Sequence, residues 1–126
     1  MRLFPKPVDT KELSPITLAF VGDGVYEMLV REYLVTAANQ PANALHRKAV
    51  SMVRAEAQAE AFRVIEPMLT EEELAVYKRG RNAHTSRNST DYHQATGFEA
   101  LIGYLYLKDR TERIQEFFDC ILQNKE

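Results

Sequence analysis

The chain has 126 residues, 45% of them hydrophobic, with a formal net charge of −2 from 16 basic and 18 acidic side chains. That length predicts one domain over residues 1–126, and a nearly neutral chain is no bulk polycation, so any affinity for nucleic acid must come from a local basic patch. The single cysteine, Cys120, excludes an internal disulfide and suits a reducing cytoplasm; with no charged-then-apolar leader and no apolar run of ~20 residues, neither secretion nor membrane insertion is expected.

Residues 1–12 hold two prolines and mixed charges and read as an extended lead-in. A long helix is expected over residues 14–37, with Ser14 as N-cap and Pro15 at the first helical position. Leu18, Val21, Val25 and Leu29 fall on one face. Ile16, Ala19, Phe20, Val30 and Leu34 fall on the other, and Asp23 sits among them. A helix apolar on all sides is expected to be buried. An ionised Asp23 there is costly unless it is paired or binds a metal. Gly22 and Gly24 flank it, each costing about 1 kcal/mol against Ala in a helix interior. Their expected use is close approach, by a partner helix or by a substrate. Glu27, one turn on, reads equally as a water-mediated ligand or as half of a surface ion pair.

Gln40-Pro-Ala-Asn43 is a turn, with Asn43 as the expected cap of a second helix over residues 44–66 that stops at Pro67. Thr70-Glu-Glu-Glu73 has the form of a capping box opening a short helix to about residue 79. Residues 82–91 are polar and read as a loop. A fourth helix is expected over residues 92–107, almost wholly apolar, with Glu99 as the only charge in the stretch 95–107. A last amphipathic helix starts at Asp109 or Thr111, with Ile114, Phe117, Phe118 and Ile121 on one face. Cys120 shares that spacing, which favours packing over nucleophilic chemistry. No strand pattern competes, so the class is all-α.

Asp23 and Glu99 are thus two acids on two greasy helices with no Arg or Lys close to either in sequence. A shared hard cation such as Mg²⁺ resolves both charges at once. The bland alternative is that each acid caps a neighbouring backbone group. Lys78, Arg79, Arg81, His84 and Arg87 lie within ten residues that contain no acid, leading into the helix that bears Glu99. This is a local positive patch suited to phosphates; a solvated surface loop is the alternative. Arg47, Lys48 and Arg54 form a weaker one. His46, His84 and His93 do not fall at a zinc-ligand spacing.

Leu18-Ala-Phe-Val-Gly-Asp-Gly-Val25 resembles the first motif of the ribonuclease III family, roughly Leu-Glu-Phe-Leu-Gly-Asp-Ala-Val. Phe98-Glu-Ala-Leu-Ile-Gly-Tyr-Leu-Tyr-Leu107 resembles its second motif, and Leu45 to Ala59 is similar to the helix between them. Ala19 stands where the full-length enzymes have Glu, and Thr96 where they have Asp. Those departures, and no double-stranded-RNA-binding domain expected after Glu126, resemble the short Mini-ribonuclease III branch. Tyr77-Lys-Arg-Gly-Arg-Asn-Ala83 is similar to a basic stretch of that branch. The resemblance implies a helical, homodimeric endonuclease domain that cleaves double-stranded RNA with Mg²⁺, or Mn²⁺ as a substitute. It also implies work in the cytoplasm on the precursor of large-subunit (23S) ribosomal RNA. Only Asp23 and Glu99 carry over as catalytic metal ligands; Thr96, in place of the family acid, offers at most a hydroxyl or water-bridging contact. The competing readings are a catalytically degenerate RNA-binding or scaffold protein and a plain helical dimerisation module. A His-Asp phosphohydrolase is excluded, because the chain has no His-Asp dipeptide.

Overall fold

A computed structural model describes residues 2–83 and 89–125, and every regular element among them is helical. A 3-10 turn (Thr10–Glu12) precedes α1 (Pro15–Ala37), α2 (Ala42–Val53) and α3 (Ala55–Ile65). A second 3-10 turn (Glu66–Met68) leads to α4 (Glu71–Arg81), α5 (Thr90–Leu107) and α6 (Thr111–Asn124). The all-α class is borne out.

Local chemistry sets most of the boundaries. The Ser14 hydroxyl accepts from the Thr17 N–H, and Pro15 starts α1. The capping box of α4 is complete: Glu73 N donates to the Thr70 hydroxyl (3.1 Å) and Thr70 N donates to the Glu73 carboxylate (2.9 Å). Ser89 caps α5 through the Tyr92 N–H, so that helix begins two residues earlier than expected. Asp109 takes a left-handed φ of 58° in the preceding turn, which leaves Thr111 as the start of α6.

One expectation fails outright. The helix expected over residues 44–66 is two helices, broken at Arg54 (φ −66°, ψ 159°). It begins at Ala42 behind Pro41, with no cap from Asn43. No Pro or Gly marks the break. It lets α2 lie along α1 while α3 packs on α5, so tertiary packing decides it against helix propensity.

The core is built around α5, which α1, α3 and α4 enclose. Phe98, Ala100, Leu101, Ile102 and Leu105 are fully buried, and each large apolar side chain among them contributes about 1.5–3 kcal/mol. Tyr26 meets Phe98 edge-on with ring centroids 5.0 Å apart, and Phe62 stacks on Tyr77 at 3.6 Å. α5 therefore needs no second subunit to cover it. α1 is different. Leu18, Tyr26, Val30 and Leu34 face the core, but Ile16, Phe20, Met28 and Val35 are exposed, Phe20 by 80%. The apolar second face of α1 is uncovered in a single chain, and Asp23 lies exposed rather than buried.

Two glycines make the closest helix crossing. A Cβ on Gly22 would lie 1.7 Å from the Glu99 carbonyl oxygen, and one on Gly103 would lie 2.0 Å from that of Leu18. Gly24 faces open space. Although Ala is the better helix former by about 1 kcal/mol, Gly103→Ala should cost at least about 3 kcal/mol, because neither backbone can yield. Urea unfolding measures it; an unchanged or higher stability would contradict the crossing.

Candidate active site

The glycine crossing sits at the two acids. Gly22 precedes Asp23, and the carbonyl that Gly22 touches belongs to Glu99. The backbones of α1 and α5 thus come together at the residues that carry the carboxylates. Asp23 is exposed at the rim and Glu99 is half-buried behind it. Burial pushes the Glu99 carboxyl up to about 7, the Gln58 amide opposes that, and the neighbouring Asp23 carboxylate adds to it. No cationic side chain contributes.

A second carboxylate in the same chain provides the contrast. Glu73 is also buried, and burial alone would raise it. Arg113 grips it with two bonds, Nε to Oε2 at 2.8 Å and a terminal nitrogen to Oε1 at 2.9 Å. Those bonds and the Thr70 cap win, and its pKa falls below the ordinary value. Glu73 is neutralised for structure. Glu99 is left with one neutral donor and a like charge.

Two hard oxygen donors with uncompensated charge suit a divalent cation that keeps most of its water. No group of three or more His, Cys, Asp or Glu side chains fit for a metal occurs among the described residues. Glu27 is not available as a third: Arg31 holds it at 3.0 Å. Thr96 is buried, and its hydroxyl donates to the Tyr92 carbonyl within the helix (3.1 Å). Ala19 is buried as well.

Of the expected basic patch, Lys78 and Arg79 are exposed in the last turn of α4. Arg81 is half-buried, with its guanidinium 5.6 Å from the centre of the Tyr77 ring and its Nε donating to Asn82. His84 and Arg87 lie outside the described residues. Arg47 and Lys48 are exposed on α2, and Arg54 is exposed at the break, 3.5 Å from Glu56. His46 is exposed and His93 is half-buried in α5.

A ribonuclease III domain matches residues 16–110, a span that contains both acids and the glycine crossing. The chain belongs to the ribonuclease III family. Its relatives include Mini-ribonuclease 3 of Enterococcus faecalis, 46% identical over 121 residues, covering 90% of this chain and 92% of that one. The Mini-ribonuclease 3 of Streptococcus pneumoniae is 39% identical over 126 residues, covering 94% and 98%. A crystal structure of a Fusobacterium nucleatum protein superposes with a TM-score of 0.84 at 28% identity, over 94% of this chain and 98% of that one. This ribonuclease III chain is an endoribonuclease, and the scaffold and dimerisation-module alternatives give way.

One residue of the site is not among those the sequence singles out. Gln58, on α3, is 2% exposed and its amide reaches Glu99. The signal was a polar side chain four residues before Phe62 and seven before Ile65, on the face that those two bury.

With Glu99 raised from 4.5 towards 7, ionising it costs the fold, so stability is lost as pH rises through that window. Glu99→Gln removes the cost. In EDTA the variant should unfold at a higher temperature than the parent at pH 8, and the difference should vanish near pH 5. Thermal unfolding at the two pH values checks it; a constant difference would contradict the raised carboxyl.

Proposed function

We propose that this ribonuclease III domain is a divalent-metal-dependent endonuclease for double-stranded RNA. It works as a homodimer in the cytoplasm, maturing the precursor of large-subunit (23S) ribosomal RNA. The observation that carries the metal is the Asp23–Glu99 pair: two adjacent carboxylates, one with a raised pKa, and no cation from the protein beside them. The duplex substrate draws on the ribonuclease III family, and the ribosomal precursor and the cytoplasm on the resemblance to its Mini-ribonuclease III branch.

Asp23 and Glu99 would hold Mg²⁺, or Mn²⁺ in its place. When bound, such an ion acidifies water and offsets charge on the leaving oxygen of a phosphodiester. Glu99 is anchored in the core and fixes one donor. Asp23 stands at the rim, where a phosphate can approach. Lys78 and Arg79 project from α4, the helix packed beside α5, and suit the phosphates of a duplex, which is recognised by shape and backbone more than by base sequence. Arg81 is the weaker contact, being committed to Tyr77 and Asn82. His84 and Arg87 belong to the same proposed patch.

The exposed face of α1 supports the dimer. Val21, Val25, Met28 and Leu29 line an apolar groove of about 440 Å³ with Leu3 and Ile114, and Gly24 opens its floor. A contiguous apolar face of this kind calls for a partner surface, and a second copy of α1 is self-complementary to it across a two-fold axis. No helix among the described residues is long and apolar enough to cross a membrane.

Asp23→Asn keeps the shape of the side chain but is a poor Mg²⁺ ligand. Cleavage of a long RNA duplex should fall by at least about a hundredfold, more than the loss of an outer-shell partner costs, with folding intact. Incubation with and without Mg²⁺ measures it, and near-normal turnover in the folded variant would sink the mechanism. Phe20→Asp places a charge on the uncovered face. Sedimentation should show monomers at micromolar concentration where the parent is a dimer; a parent that is itself monomeric would remove the assembly proposal.

A further inference from the structure

We propose that Gln58 is the positioning residue of the metal site, its amide tying the Glu99 carboxylate to the break between α2 and α3. This inference rests on the reading of Asp23 and Glu99 as metal ligands.

The geometry is a three-way tie. The Gln58 amide nitrogen donates to the Val53 carbonyl at 2.8 Å and to Glu99 Oε2 at 3.2 Å. Val53 is the last residue of α2, and Glu99 is in the middle of α5. One side chain on α3 therefore fixes a carboxylate relative to two other helices. The break at Arg54, which neither Gly nor Pro explains, is what presents the Val53 carbonyl to it.

The orientation of the amide is dictated by its neighbours. The Val53 carbonyl and the ionised Glu99 carboxylate are both acceptors, so with Glu99 ionised, as a metal ligand must be, turning the amide over would set oxygen against oxygen twice. Among the described residues its own Oε1 is buried with no hydrogen-bond partner. A buried acceptor without a donor is a standing penalty that Met or Leu would avoid. Gln58 thus carries a cost, and what it provides in return is the tie between the Val53 carbonyl and Glu99.

Its neutrality fits the role. Arg113 shows what a cation does to a buried glutamate in this chain: it cancels the charge and closes the carboxylate to other ligands. An amide orients one oxygen of Glu99 and leaves the charge, and the second oxygen, for a metal. Outer partners that orient ligating carboxylates in this way typically change metal affinity by about 10–100-fold when removed.

Mn²⁺ bound to the RNA-free protein, read by its electron paramagnetic resonance signal, tests the assignment without relying on turnover. Gln58→Met keeps the volume and removes the donor. It should weaken Mn²⁺ binding by about 10–100-fold. In duplex cleavage it should raise the half-saturating Mg²⁺ concentration far more than it lowers the rate at saturating Mg²⁺. Asp23→Asn should abolish Mn²⁺ binding. If Gln58→Met binds Mn²⁺ like the parent while Asp23→Asn does not, the positioning role is overturned and the metal site stands. If Asp23→Asn binds like the parent, the metal reading fails and the inference falls with it. Should Gln58→Met not fold, the side-chain ¹⁵N amide signals of Gln58 in the unaltered protein decide. They should shift on adding Mg²⁺ in the parent and stay fixed in Asp23→Asn; signals that do not move in the parent overturn the assignment.

Discussion

The crossing of α1 and α5 at Gly22 and Gly103 is the constraint on which the rest of the molecule depends. Backbones this close exclude any side chain between them, and a single Cβ on either glycine would overlap a carbonyl of the other helix. The same contact places Asp23 next to Glu99, because Gly22 adjoins the first and touches the carbonyl of the second. Fold and site are therefore one feature. A carboxylate pair set on long flexible loops would be free to separate and relieve its repulsion. On two helices locked backbone to backbone it cannot.

That rigidity has an electrostatic cost, which this chain leaves standing. Glu73 and Glu99 are both glutamates sheltered from water, yet they sit on opposite sides of the ordinary carboxylate range. Arg113 accounts for the first. The second has burial and Asp23 against it and only Gln58 in its favour. A fold selected for stability alone would treat the two alike, with a cation beside each or an apolar residue in place of each. In the proposed metal site, that uncompensated charge beside another keeps a place for a cation from solution.

Much of this was legible in the sequence, though not always for the right reason. Ser14, Pro15 and the Thr70–Glu73 capping box are local chemistry, and they mark their helices as the sequence predicts. Asp23 stood out because its helix is apolar on every side, which implied burial. In the single chain the residue is exposed, since the second face of α1 has no cover. The oddity was real, but it marked an unpartnered face. Gly22 and Gly24 signal close approach in the sequence, and the structure divides them: Gly22 joins Gly103 in the chain's own crossing, while Gly24 opens onto the groove. The break at Arg54 was not legible, because packing rather than propensity produces it. Gln58 is illegible for the same reason. Its meaning depends on a carbonyl freed by that break and on a carboxylate 41 residues away in sequence.

The two faces of α1 then divide the labour. The inner face carries Gly22 and joins Glu99 to the core. The outer face carries Phe20, Gly24 and Met28 and, in the proposed dimer, meets a second copy. Asp23 lies where these faces meet, exposed but anchored by its neighbour in the crossing. A ligand wholly inside the core would be out of reach of a phosphate, and one wholly on the surface would move with its rotamers. In the proposed metal site, pairing an anchored Glu99 with a rim Asp23 avoids both. It also makes the groove beside Asp23 part of the argument: in the proposed dimer, whatever covers the outer face of α1 borders the carboxylate pair, so assembly and the shape of the RNA-binding cleft are set by the same side of one helix.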